Sequence, residues 1–171
     1  MPAEDARFPA LRERFLSLYA GGLAVDTRLF PGMAELLQRL EDDGRRWGVV
    51  TNKPAWLTGP LMERLGLARR AACIVSGDST RHRKPHPAPL LFACRSCDGT
   101  PPRCLYVGDH RRDIQAGRNA GMHTLVALFG YLGADDAPSD WGADAMVDRP
   151  AGIMDWIIAA EAGAPATAPH G

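Results

Sequence analysis

Five short apolar runs decide most of what this chain can fold into. They are WGVV ending at Thr51, CIVS at 73–76, CLYV at 104–107, HTLVAL at 123–128 and, more weakly, DAMV at 144–147. None of the first four alternates apolar with polar residues. Continuous runs of this length are how strands covered on both faces read. Helical spacing fills the intervals between them. Pro31 opens a helix with Met33, Leu36, Leu37 and Leu40 on one face, closed at Gly44. A second helix runs through Leu57, Leu61, Met62 and Leu65 to Gly66, and a third through HPAPLLFACRSC. Arg111–Ala120 and Pro150–Ala160 read as two more, and Phe8–Ala20 as an amphipathic helix ahead of them all. Strands that alternate with helices imply right-handed crossovers. The expected fold is therefore α/β, with a doubly wound, mostly parallel, Rossmann-like sheet.

In such sheets ligands gather at the carboxyl ends of the strands. That rule sorts the polar residues. Thr51 and Asn52 follow GVV, Lys84 lies in the loop after CIVSGD, and Asp109 follows LYVG. Asp113 stands four residues beyond Asp109, in the first turn of the next helix, where i and i+4 face the same way. Two carboxylates so placed suit a hard cation. Mg²⁺ takes one or two carboxylates, keeps waters and completes its shell with substrate phosphate. A hydroxyl and an ammonium beside it suit the remaining phosphoryl oxygens. Taken singly each piece has a plainer use. Asp109 suits a helix cap, Asp113 the helix dipole, Thr51-Asn52 a turn and Lys84-Pro85 a surface loop. The order, with every piece at a strand end, is what points to Mg²⁺-assisted phosphoryl transfer.

Composition narrows the classes. The chain has 171 residues, room for one domain with a proper core. Lys+Arg and Asp+Glu both total 20, which gives no polyanion-binding surface, so no nucleic-acid partner is expected. No apolar window approaches a membrane span and no signal segment opens the chain, so a cytoplasmic protein is expected. Cys94 and Cys97 form one C-x-x-C without a second half. With Cys73 and Cys104 they are expected to be reduced and partly in the core rather than a zinc or redox centre. Of the 20 basic residues only Lys53 and Lys84 are lysine, and both lie in the segments above.

Three segments, VVTNKP, KPHPAPLL and LYVGDHRRDIQAGRNAGM, resemble the second, third and fourth motifs of the haloacid dehalogenase superfamily. Within it, the chain resembles the phosphoglycolate phosphatase-like branch. The wording LFPGM, WGVVTNKP, GDHRRDI and TLVALFGY is most similar to the N-acetylmuramic acid 6-phosphate phosphatases of that branch. The resemblance implies an enzyme that hydrolyses a small phosphomonoester, N-acetylmuramic acid 6-phosphate first and 2-phosphoglycolate second. It implies Thr51 and Lys84 as catalytic residues, and Thr51, Asn52 and Lys84 as phosphate-binding. Asp109 and Asp113 would be the Mg²⁺ ligands. Thr51 favours a phosphatase over a dehalogenase, because the dehalogenases usually place Ser there and use no metal.

One family element is not found. The first motif, D-x-D-G-T, supplies the nucleophile and the acid/base, and the lone DGT at 98–100 is preceded by no apolar strand. The expectation is that 1–28 is the remnant of a helical cap and 29–160 an α/β phosphatase core without its central first strand. Residues 161–171 would be a disordered tail. A chain truncated in this way is expected to be catalytically inactive alone. Its two apolar sheet edges, unpaired across a gap, are expected to drive self-association. The alternative functions are a non-catalytic remnant that binds phosphate or a partner protein, and a phosphomutase of the same superfamily. His110, Arg111 and Arg112 are expected to be solvent-exposed.

Overall fold

The computed structural model describes residues 27–163. The helix at Phe8–Ala20, nearly all of the cap segment 1–28 and the tail beyond 163 lie outside the described residues. In chain order the elements are α1 (Met33–Asp42), β1 (Gly48–Val50), α2 (Ala55–Arg64), β2 (Cys73–Val75) and α3 (Ala88–Ser96). They continue with β3 (Leu105–Gly108), α4 (Arg111–Asn119), β4 (His123–Ala127), β5 (Ala145–Val147) and α5 (Ala151–Glu161). Short 3₁₀ turns precede β3 and β5.

Every ladder is parallel, and the strands fall into two sheets, β1-β2 and β3-β4-β5. Gly48 pairs with Cys73 and Val50 with Val75, while Leu105 pairs with His123 and Leu125 with Ala145. Among the described residues no ladder joins β1 to β3, which is where the sequence places a strand gap. The space between these two edges is a cleft of about 1100 Å³. Val49, Val50, Leu105, Tyr106 and Val107 are among its lining residues.

The pleat sends consecutive residues to opposite faces. Val49 packs with Leu37 of α1 and Met62 of α2, whereas Val50 packs with Leu90 of α3 and Ala116 of α4. Leu125 and Val147 meet α1 and α5, whereas Val126 meets Ile114 of α4 and Trp141. Helices therefore cover both faces, as in a doubly wound fold. Helix α1 spans the cleft, because Leu36 belongs to the cluster of the three-stranded sheet and Leu37 to that of the two-stranded one.

The small departures from the expected boundaries have local causes. Ser76 falls outside β2, and its N–H donates to Ser79 Oγ at 2.9 Å. Cys104 falls outside β3 because its N–H closes the 3₁₀ turn onto Pro101 O. Gly108 extends that strand by one residue to the edge of the site. Glu161, expected in a disordered tail, instead closes α5 and meets Arg45 in a two-pronged ion pair of 2.7 and 2.8 Å.

Candidate active site

Thr51 and Asn52 sit immediately after β1, Asp109 immediately after β3, and Asp113 in the first turn of α4. Lys84 comes from the loop between β2 and α3. All five reach the carboxyl end of the sheets, as expected. How they are joined could not be read from the sequence.

The centre is Lys84. Its side chain and that of Asp113 are each 8% exposed, with Nζ 2.8 Å from Asp113 Oδ1. The ammonium donates to Val50 O at 2.9 Å and to Tyr106 Oη at 2.7 Å. The approach to Asp113 is an ionic contact, and Asp113 Oδ1 receives no aligned hydrogen bond. Asn52 fixes the main chain of Lys84 from both sides. Its Nδ2 donates to Lys84 O at 3.0 Å, and its Oδ1 accepts from Lys84 N at 3.1 Å. The Asn52 side chain, expected on phosphate, is thus committed to holding Lys84. Thr51 Oγ1 accepts from Lys53 N at 3.1 Å.

Two glycines make room for the carboxylates. A Cβ on Gly108 would stand 2.3 Å from Asp113 Cβ, and one on Gly130 would stand 2.3 Å from Asp109 Cβ. Any side chain at either position would push the carboxylate off the strand ends. Asp109 is half-buried, and its Oδ2 accepts from Tyr131 N at 2.9 Å. Of the five residues named above, Asp109 alone lines the cleft.

Sequence reasoning missed Tyr106. It lies mid-strand in LYVG, where an aromatic residue is ordinary, and nothing local marks its hydroxyl. In the fold that hydroxyl donates to Val50 O at 3.0 Å and accepts from Lys84. Burial pushes the phenol well above its usual range, and the charges of Asp113 and Asp109 add to the shift. It therefore keeps its proton and spans the cleft from β3 to β1. His110 is exposed, as expected, but it caps α4 by accepting from Arg112 N at 3.1 Å.

Two carboxylates, one of them ion-paired to Lys84 through an oxygen that receives no aligned hydrogen bond, together with a hydroxyl and an ammonium, form a donor set that fits a hard divalent cation and a phosphoryl group. Among the described residues no group of three or more His, Cys, Asp or Glu is arranged to hold a metal by itself. That is compatible with an ion that takes the rest of its shell from water and phosphate.

Comparisons with known proteins give the family. The family model for haloacid dehalogenase-like hydrolases matches residues 4–127, and the chain belongs to that family. It is 45% identical over 150 residues to an N-acetylmuramic acid 6-phosphate phosphatase of Pseudomonas putida, covering 88% of this chain and 67% of that protein. It is also 45% identical over 141 residues to a phosphoglycolate phosphatase of Xanthomonas campestris pv. campestris, covering 82% and 64%. A crystal structure of a predicted phosphoglycolate phosphatase from Haemophilus somnus superposes with a TM-score of 0.82 at 29% identity, covering 88% of this chain and 67% of that one. The chain thus spans about two thirds of the length of these relatives. No helix among the described residues is long and apolar enough to cross a membrane.

Proposed function

We propose that this chain carries the phosphate-binding and metal-binding rim of a Mg²⁺-dependent phosphomonoester hydrolase. Its substrate would be a small phosphorylated metabolite of the cytoplasm, N-acetylmuramic acid 6-phosphate before 2-phosphoglycolate. The observation that carries this reading is the buried Lys84–Asp113 pair, set between Thr51 on one sheet and Asp109 on the other. The substrate order follows the names of the two relatives above. The four free cysteines suit a reducing compartment.

In this reading Asp109 and Asp113 hold Mg²⁺, which neutralises phosphoryl charge when bound. Thr51 has its acceptor side engaged by Lys53 N, so its own proton is directed to a phosphoryl oxygen. Lys84 faces the same group with its charge, held in place by Asn52 and Tyr106. Among the described residues no carboxylate stands on a strand between β1 and β3 to act as nucleophile. We therefore propose that the chain alone binds phosphate without appreciable turnover.

The test is calorimetric binding of inorganic phosphate with and without Mg²⁺, alongside phosphate release from both candidate substrates. Expected are Mg²⁺-dependent binding, lost in Lys84→Met and Asp109→Asn, and release at the buffer background. Mg²⁺-dependent turnover would overturn the inactivity, and absence of any phosphate binding would overturn the site. The facing edges of β1 and β3, which carry no ladder among the described residues, also support self-association, which sedimentation would detect as mass rising with concentration.

A further inference from the structure

The four cysteines come together at the opposite end of the cleft from the candidate site. Cys73 begins β2, Cys94 and Cys97 lie on and just after α3, and Cys104 leads into β3. All four line the cleft. Cys94 Sγ and Cys104 Sγ are 3.5 Å apart, and both sulfurs flank Gly99. Burial, with Cys97 as a neighbour, pushes the Cys73 thiol up. The fold sets Cys94 of the C-x-x-C against Cys104, a cysteine outside that motif. The group is not arranged to hold a metal ion.

We propose that Cys94 and Cys104 are a reversible disulfide site, oxidised by a low-molecular-weight disulfide that enters through the cleft. The two sulfurs must approach by about 1.5 Å to reach a bond near 2.05 Å, a distance within the range of side-chain rotation. Cys104 is half-buried and Cys94 is 6% exposed, so Cys104 meets the oxidant first. Its thiolate attacks one sulfur of the small disulfide and releases one small thiolate. Cys94 then attacks the Cys104 sulfur of the mixed disulfide and expels the second. The two protein thiol protons end on the two released thiolates, and two electrons pass to the oxidant. The bond has a structural consequence. Helix α3 packs on β1 and β2, whereas Cys104 adjoins β3, so the bridge ties together two sheets that share no ladder among the described residues.

Burial, with hydrogen bonding and proximity to Cys94 and the nearby Cys97, pushes the Cys104 thiol up to about 11, against the opposing pull of Arg103. Oxidation is therefore slow at neutral pH. It should accelerate about tenfold per pH unit between pH 7 and 9, as the thiolate fraction grows.

The experiment uses the full chain incubated with oxidised glutathione. Expected are a fall from four titratable thiols to two, a mass 2 Da lower, and a peptide map linking Cys94 to Cys104, all reversed by dithiothreitol. Cys73→Ser should leave the link intact. Cys94→Ser should stop at a glutathione adduct on Cys104. Four persisting thiols, a wild-type adduct that never resolves, a link between other cysteines, or zinc bound to the purified protein would each overturn the proposal.

Discussion

Leu125 and Val126 on β4 are fully buried, while on β1 Gly48 is exposed and Val49 and Val50 are only half-buried. Both strands are short apolar runs, and both have helices on their two faces. They differ in their neighbours. β4 has a ladder on each side, from β3 and β5, whereas among the described residues β1 is paired with β2 alone. The candidate site straddles this difference. Its carboxylates belong to the closed, three-stranded half, and its hydroxyl and amide to the open, two-stranded half. Lys84 and Tyr106 fasten one to the other through Val50 O. A chain can thus hold the residues of a candidate site in register across a cleft with one buried polar clasp and one spanning helix.

The comparison breaks first at the cores. Leu125→Ala should cost roughly 3–5 kcal/mol in urea unfolding, a cavity in a fully packed place. Val49→Ala should cost about 1 kcal/mol, since less of its surface leaves water. Equal losses would erase the distinction between the halves.

The clasp comes next. Asp113→Ala leaves the Lys84 ammonium buried without its counter-charge and should cost about 3 kcal/mol. The double variant Lys84→Met/Asp113→Leu should recover part of that loss, because no charge is then stranded. Tyr106→Phe removes a hydroxyl that both donates and accepts. It should cost about 1–2 kcal/mol, with faster amide exchange in β1 than in β4.

The smallest effect concerns acid. Glu41, at the end of α1, accepts from Arg70 and from Trp47 Nε1, and these bonds hold its carboxyl below the ordinary 4.5. A depressed carboxylate stabilises the fold above its unfolded value, and that contribution is lost as pH falls through the lower folded value. An NMR titration should place the Glu41 midpoint below that of a Glu41-containing peptide. A midpoint at the peptide value would remove this tie from the two-stranded half.

Much of this was legible in the sequence. Continuous apolar runs marked β1 to β4, proline and glycine marked the helix ends, and the strand-end rule located Thr51, Asn52, Lys84, Asp109 and Asp113. The sequence, in which no D-x-D-G-T strand is found, also leads to the expectation of a gap where, among the described residues, no ladder joins β1 to β3. Connections between distant residues were not legible. That Asn52 grips the Lys84 main chain and that Tyr106 reaches Val50 O both depend on how two sheets sit across a cleft. No local pattern records that. The cysteines make the same point, since the spacing of C-x-x-C says nothing of Cys104 lying against Cys94.

The measurement that bears most directly on the account is an amide NMR titration with Mg²⁺ and inorganic phosphate together. The account predicts shifts on both sides of the cleft at once, at Thr51 and Asn52 and at Asp109 and Asp113, with the amino ends of the strands unmoved. Shifts confined to one sheet, or none at millimolar Mg²⁺ and phosphate, would contradict a single site shared between the two halves.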